Sequence, residues 1–279
     1  MTATVATLDE FKVVDQGIGT KMLRVAYWAT NLLGRGQRRL NRMNLSLEPG
    51  SNATERAMFF DRTPVEPKSL RAILGLCTGR LGTFLDIGAN CGFYTLPAAN
   101  AMAAGSQIIA YEPNPRMVRR LQRNIKRNDL RSQIKIRQDA VGSEPGTAQL
   151  FINDYDLGKS SLLWNEKHHN TTAVHDVNVV SLAALFAQNN LPRPIIMKMD
   201  IEGPEPDALE PVLETTLDVD LPNAILLETR HAAAWSFDLF PLLEARGYAA
   251  TFTGEGNHLF ERLKADGMND STLPSHAQT

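Results

Sequence analysis

The chain has 279 residues, 43% of them hydrophobic and 22% charged, and a formal net charge of -2 at pH 7. That length buries a sizeable core, and the near-neutral charge gives no global electrostatic case for a nucleic-acid partner. Two cysteines are too few for a disulfide framework, so a reduced, cytoplasmic setting is expected.

The first residues, MTATVATLDEF, lack a basic start followed by a long apolar run, and no signal peptide is expected. No apolar run approaches the roughly 20 residues that a membrane span needs. Residues 21–44 carry Lys21, Arg24, Arg35, Arg38, Arg39 and Arg42 without an acidic residue, interrupted by Met22, Val25, Tyr27, Trp28, Leu32 and Leu33. Such a stretch can dock on an anionic substrate, a membrane surface or a partner. The favoured reading is a helical lid or homodimer element whose basic face is solvated, because Gly34 and Gly36 break the stretch. The expected organisation is a helical extension over 1–66, an α/β domain over 67–263 and a flexible tail over 264–279.

A helix is expected after Pro67, with Leu70, Ile73, Leu74 and Cys77 facing a core and Gly79 near its end. Residues 83–87 form a strand that runs into a turn with Gly88, Asn90 and Gly92, and a helix follows over 93–104. The strand at 107–111 ends in Glu112 and Pro113, after which Asn114 caps a helix that Pro115 opens. Met117, Leu121 and Ile125 mark its buried stripe. Arg116, Arg119, Arg120, Arg123, Lys126 and Arg127 are assigned to a solvated face.

Residues 134–137 form a strand leading to Asp139, Ala140 and Val141, and short strands follow at 148–152 and 178–182. Between the last two, residues 153–176 read as a polar loop, either a substrate lid or a plain exposed loop, holding Ser160, Ser161, His168, His169 and His175. Its histidines are read as solvated. The apolar strand at 195–200 precedes a helix opened by Pro204 and Pro206. A strand at 224–228, a helix over 235–246 and a hairpin of 248–253 with 258–263 complete the chain.

Strands alternating with helices predict a mostly parallel sheet with a ligand site at the carboxyl ends of its strands. Asp86, Glu112, Asp139, Asp200 and Glu228 fall at such ends and concentrate negative charge there. Asp86 would repel a pyrophosphate, and the turn reads G-x-N-x-G where a dinucleotide site needs G-x-G-x-x-G. S-adenosylmethionine instead carries an ammonium and a sulfonium, which carboxylates attract. Glu112 can accept from both ribose hydroxyls, and Asp139 from the adenine amine.

The segments FLDIGANCGFYT, YEPNP, IIMKMDIEGPEPDAL and ILLETRH resemble the FkbM-type family of class I S-adenosylmethionine-dependent methyltransferases, over roughly residues 70–263. The resemblance implies a Rossmann-like fold, with a seven-stranded, mostly parallel sheet and an antiparallel C-terminal hairpin. It implies O-methylation of a hydroxyl on a sugar or other small polar metabolite. It also implies that Asp86, Gly88, Asn90 and Gly92 hold the methionine end of the cofactor, Glu112 the ribose and Asp139 the adenine; Thr95 and Ala140 complete that set. The chain departs from the family pattern in Pro204 and Pro206 flanking Glu205, and in its long basic N-terminal extension.

Methyl transfer to a hydroxyl requires alignment and removal of the hydroxyl proton. Period-two alternation puts Lys198, Asp200 and Glu202 on one face, and a lysine on so apolar a strand calls for a carboxylate partner, Asp200. Asp200 is read as the base or hydroxyl acceptor and His231 as the rival base, with Glu228 and Lys198 beside them. Ser160, Ser161 and Glu202 are candidate substrate contacts, although Glu202 also suits a helix dipole; Glu205 reads as structural. A metal-free site is expected, the alternative being Mg²⁺ on Asp200, Glu228 and His231. The competing functions are a non-catalytic binding protein of this fold and a nicotinamide-dependent oxidoreductase.

Overall fold

The computed structural model describes residues 36–262, apart from 41, 62–63, 131–132, 154–155, 163–170 and 189–190. It begins with a hairpin, β1 (Gly36–Leu40) and β2 (Met43–Leu47), followed by α1 (Ala53–Asp61). The sequence reading expected helix here. Strand wins because Met43, Leu45 and Leu47 repeat every second residue and all three are buried. Residues 1–35 and the tail from 263 lie outside the described residues.

The α/β body then alternates α2 (Pro67–Cys77), β3 (Thr83–Ile87), α3 (Thr95–Ala101), β4 (Gln107–Tyr111), α4 (Pro115–Arg127) and β5 (Ile134–Arg137). The cap expected at Asn114 is present, its side chain accepting from the N–H of Arg116 at 2.9 Å. A side unit follows, with β6 (Ala140–Gly142), β7 (Gly146–Asn153) and β8 (Thr171–Ser181) forming a three-stranded sheet in the order β6-β8-β7. The loop expected over 153–176 is therefore shorter. Residues 171–176 pair antiparallel with β7, which puts His175 opposite Leu150; His168 and His169 lie outside the described residues.

Leu182 belongs to a further helix, α5 (Leu182–Ala187), rather than to the preceding strand, because Ser181 caps it from Ala184 N–H. The chain continues through β9 (Ile195–Met199), α6 (Glu205–Thr215), β10 (Ala224–Glu228), α7 (Phe240–Ala245), β11 (Tyr248–Gly254) and β12 (Asn257–Arg262). Of the helix expected over 235–246, residues 240–245 form it. Trp235 is held outside by its indole N–H, which donates to Glu205 at 3.2 Å.

The main sheet has the order β11-β12-β10-β9-β3-β4-β5. β3, β4, β5, β9 and β10 run parallel, whereas β12 is antiparallel to both β10 and β11. This is the seven-stranded Rossmann-like class I arrangement. β3, β9 and β10 are buried along their whole length, as apolar central strands of a parallel sheet must be. Apolar clusters pack on both faces of the sheet. β3 pairs with β4 on one side and with β9 on the other. The chain thus reverses direction across the sheet at β3, and a crevice opens beyond its carboxyl end. Among the described residues, no helix is long and apolar enough to cross a membrane.

Candidate active site

The turn after β3 is shaped first by the approach of other backbone. Gly88 has φ +80°, and a Cβ there would overlap the carbonyl oxygen of Asp200. Gly92, at φ +101°, leaves room for Leu96 and Leu121. Asn90 also lies in the left-handed region, at φ 51°, which asparagine tolerates. Its side-chain oxygen accepts from Asn52 Nδ2 at 3.0 Å and from Cys91 N at 2.9 Å. Gly88→Ala is expected to cost roughly 2–3 kcal/mol of stability through the positive φ and the overlap. A denaturation midpoint equal to that of the native chain would refute this.

Asp86 is 1% exposed and does not line the cleft above the turn. Its carboxylate accepts from the Thr95 hydroxyl and stands 3.8 Å from Lys198 Nζ. Burial raises its pKa, and Lys198 opposes the rise. Thr95 too is buried beneath the cleft. Both residues support the turn from below.

Gly88, Asn90, Glu112, Asp139 and Ala140 do line the cleft. Glu112 accepts from the N–H of Asn90 at 2.8 Å through one oxygen and from the N–H of Asn114 at 2.9 Å through the other. Each carboxylate oxygen keeps a second lone pair for a ligand hydroxyl. Burial pushes the Glu112 pKa up to about 7, against those two N–H donors. Asp139 accepts from Asn178 Nδ2 at 2.8 Å, its one bond among the described residues.

Lys198, Asp200, Glu202 and Glu228 also line the cleft. Lys198 Nζ donates to the Gly88 carbonyl at 2.8 Å and lies 3.3 Å from Asp200 Oδ2. Burial pulls on its ammonium, but Asp200, Asp86 and Glu66 outweigh burial and leave its pKa raised. Glu228 is 4% exposed, and its Oε2 has no hydrogen-bond partner among the described residues. Burial, reinforced by Asp200, pushes its pKa up to about 8.

His231 does not line the cleft. Its Nε2 lies 3.3 Å from Glu202 Oε2, a bond that raises the histidine pKa. Glu205, read as structural, accepts from the N–H groups of Ile201 and Gly203 and from the Trp235 indole. Asp200, Glu205 and Glu228 each offer an oxygen within 4.8 Å of the others. This carboxylate trio contains Glu205 where the sequence alternative had His231.

The hydroxyls of Ser160 and Ser161 line the cleft while bonded to protein. Ser160 donates to the Leu157 carbonyl at 2.9 Å and Ser161 to the Glu202 carbonyl at 3.2 Å. Sequence reasoning missed Glu66, Tyr94 and Arg230. Glu66 accepts from the Tyr94 hydroxyl at 2.9 Å and pairs with Arg230, whose Nε lies 3.9 Å from Glu228. The extension, read as a helical lid or dimer element, reaches the site through residues 51–54. Asn52 bonds Asn90, Ser51 accepts from Leu157 N at 2.8 Å, and Ala53 and Thr54 form part of the cleft wall. Arg230 had a signal in its place directly beyond the strand end at Glu228. Glu66 had none, since only tertiary contact brings it here.

No curated protein matches the chain. Among solved structures, the methyltransferase FkbM from Methylobacillus flagellatus KT shares 16% identity over 65% of this chain, with a TM-score of 0.42. The chain spans 43% of the length of that protein. A methyltransferase from Geobacter sulfurreducens shares 16% identity over 76% of this chain and 87% of its own, with a TM-score of 0.46. TYW2 from M. jannaschii, solved in complex with AdoMet, shares 12% identity over 82% of this chain and 87% of its own, with a TM-score of 0.41. Residues 86–250, more than half of the chain, match the family described as the methyltransferase FkbM domain. The chain belongs to that methyltransferase family.

Proposed function

We propose that the protein transfers a methyl group from S-adenosyl-L-methionine to a hydroxyl of a small polar metabolite. The observation that carries this reading is the cleft itself. Glu112, Asp139 and the Gly88–Asn90 turn line it together with Asp200, Glu202 and Glu228. An acid-lined site suits a cofactor bearing an ammonium and a sulfonium. The spare lone pairs of Glu112 suit a ribose diol, and the free capacity of Asp139 suits an exocyclic amine.

S-adenosylmethionine supplies, when bound, an electrophilic methyl on a sulfur that leaves as a neutral thioether. The rest is alignment and proton removal. Asp200 accepts the hydrogen bond of the acceptor hydroxyl and then its proton. Lys198, 3.3 Å away, fixes the orientation of the Asp200 carboxylate. Glu228 keeps its proton up to about pH 8, which fits it to donate a hydrogen bond to an acceptor oxygen. His231, tied to Glu202, orients that carboxylate.

Calorimetry with S-adenosylmethionine is expected to show micromolar-range binding to the native chain. Glu112→Ala is expected to weaken it by roughly 10–100-fold, the loss of two charge-assisted hydrogen bonds. No heat of binding at millimolar cofactor would overturn the reading. Mass spectrometry of co-purifying small molecules then identifies the acceptor.

A further inference from the structure

Asp200 and Glu202 stand on one short turn between β9 and α6, and they are held by different means. Asp200 is still tied to the sheet. Its N–H donates to the Ile87 carbonyl at 3.1 Å, and its own carbonyl lies against Gly88. Glu202 lies beyond that ladder. It has φ 63°, and Gly203 after it has φ 129°. A left-handed glutamate persists only where its surroundings hold it.

The Ser161 hydroxyl on the Glu202 carbonyl supplies one hold. Glu205, the first residue of α6, supplies the others. Its Oε1 accepts from the N–H of Ile201 at 2.9 Å and from that of Gly203 at 3.1 Å, the residues on either side of Glu202. Its Oε2 accepts from the Trp235 indole at 3.2 Å. Glu205 is fully buried and does not line the cleft, so all three bonds are internal.

These bonds close a circuit. Trp235 follows the short helical turn Ala232–Ala234 that begins at His231, and His231 returns to Glu202 at 3.3 Å. Ser236, donating to Asp207 at 2.8 Å, ties the same segment to the first turn of α6 a second time. One buried carboxylate thus anchors both residues that meet at the Glu202–His231 contact.

We propose that Glu205 is a positioning residue for methyl transfer, which sets Glu202 in the cleft through the backbone on either side of it and holds His231 against it through Trp235. This rests on the methyl-transfer reading above, with Glu202 as a substrate contact. The test follows the His231 ring of the full chain by NMR across pH, its signal assigned among the six histidines by its absence from His231→Gln. The bond to Glu202 raises the His231 pKa against the pull of burial, and the charges of Glu228 and Glu205 add to the rise. Glu202 itself also faces Asp200 and Lys159.

Glu205→Asp keeps the charge but is one methylene short of the two N–H groups. It is expected to release Glu202 from His231, so that the His231 titration shifts down toward its ordinary value. Trp235→Phe keeps the charge of Glu205 and a ring against Phe240 but loses the indole donor, and a shift in the same direction is expected. Cofactor calorimetry should change little in either variant, since neither residue lines the cleft. On the acceptor identified by mass spectrometry, Glu205→Asp should lower kcat about 10²-fold, the cost of misplacing a reacting group by about 1 Å. A His231 titration that stays at its native value in both variants would overturn the proposal, and so would a native kcat. Equal loss of cofactor affinity in both variants would make Glu205 a general support of the fold and overturn it as well. The titration needs neither cofactor nor acceptor, so its failure is distinguishable from failure of the methyl-transfer reading, which calorimetry on the native chain decides.

Discussion

Asp200→Asn is expected to lower the rate of methyl transfer by about 10²–10⁴-fold, the range for loss of a positioned general base. The amide keeps the shape of the side chain but cannot take a proton at neutral pH. Cofactor affinity should change less than the rate, because the ribose and the adenine are assigned to Glu112 and Asp139 and not to Asp200. Removing the charge of Asp200 also removes one of the causes that hold the Glu228 pKa near 8. Glu228 should then ionise at lower pH, and any residual rate should shift its pH profile downward. Single-turnover rates across pH, on the acceptor found by mass spectrometry, measure both effects. A variant with native rate moves the base assignment to Glu228 or His231 while leaving the cofactor assignment intact.

Arg120→Met is expected to destabilise the fold by roughly 3–5 kcal/mol, the cost of leaving a buried charge without its partner. Arg120 is 3% exposed and pairs with Glu55, which is fully buried, as well as bonding Ser51 Oγ at 2.7 Å and Glu48 at 2.8 Å. It thereby ties α1 and the turn before it to α4. Burial pushes the Glu55 pKa to about 7, with Arg120 as the main opposing influence. Without Arg120 that pKa rises further above its unfolded value of 4.5. A raised carboxyl pKa contributes stability that is present below the unfolded value and is lost as pH climbs through the folded one. The penalty should therefore be small near pH 4 and largest above pH 8. Urea melts of both proteins across that range test it, and a penalty independent of pH would place the cost elsewhere than on Glu55.

The same pair shows where sequence reading stops. The strands at Thr83–Ile87, Gln107–Tyr111, Ile134–Arg137 and Ala224–Glu228 are legible to the residue. Three are short, largely apolar runs closed by a turn, and Ile134–Arg137 alternates apolar with basic residues; both patterns report burial directly. The ion pair of Lys198 with Asp200 is legible too, because strand alternation puts the two on one face, although β9 itself ends one residue earlier, at Met199. Arg120 is different. It sits among five other basic residues of α4 and reads like them as solvated. Only Glu55, 65 positions away, makes its burial stable.

By itself, then, the sequence determined the alternation of the α/β body, the glycine turn and the placing of acids at strand ends, all of which follow from local pattern. The tertiary structure decided three further things. It put Asp86 beneath the turn rather than in the cleft. It brought Glu66 to Arg230 across 164 residues, and it folded the extension so that Ala53, Thr54, Val65 and Glu66 help wall the cleft. Each of these depends on which distant partner relieves a buried charge or polar group, and no local periodicity encodes that choice.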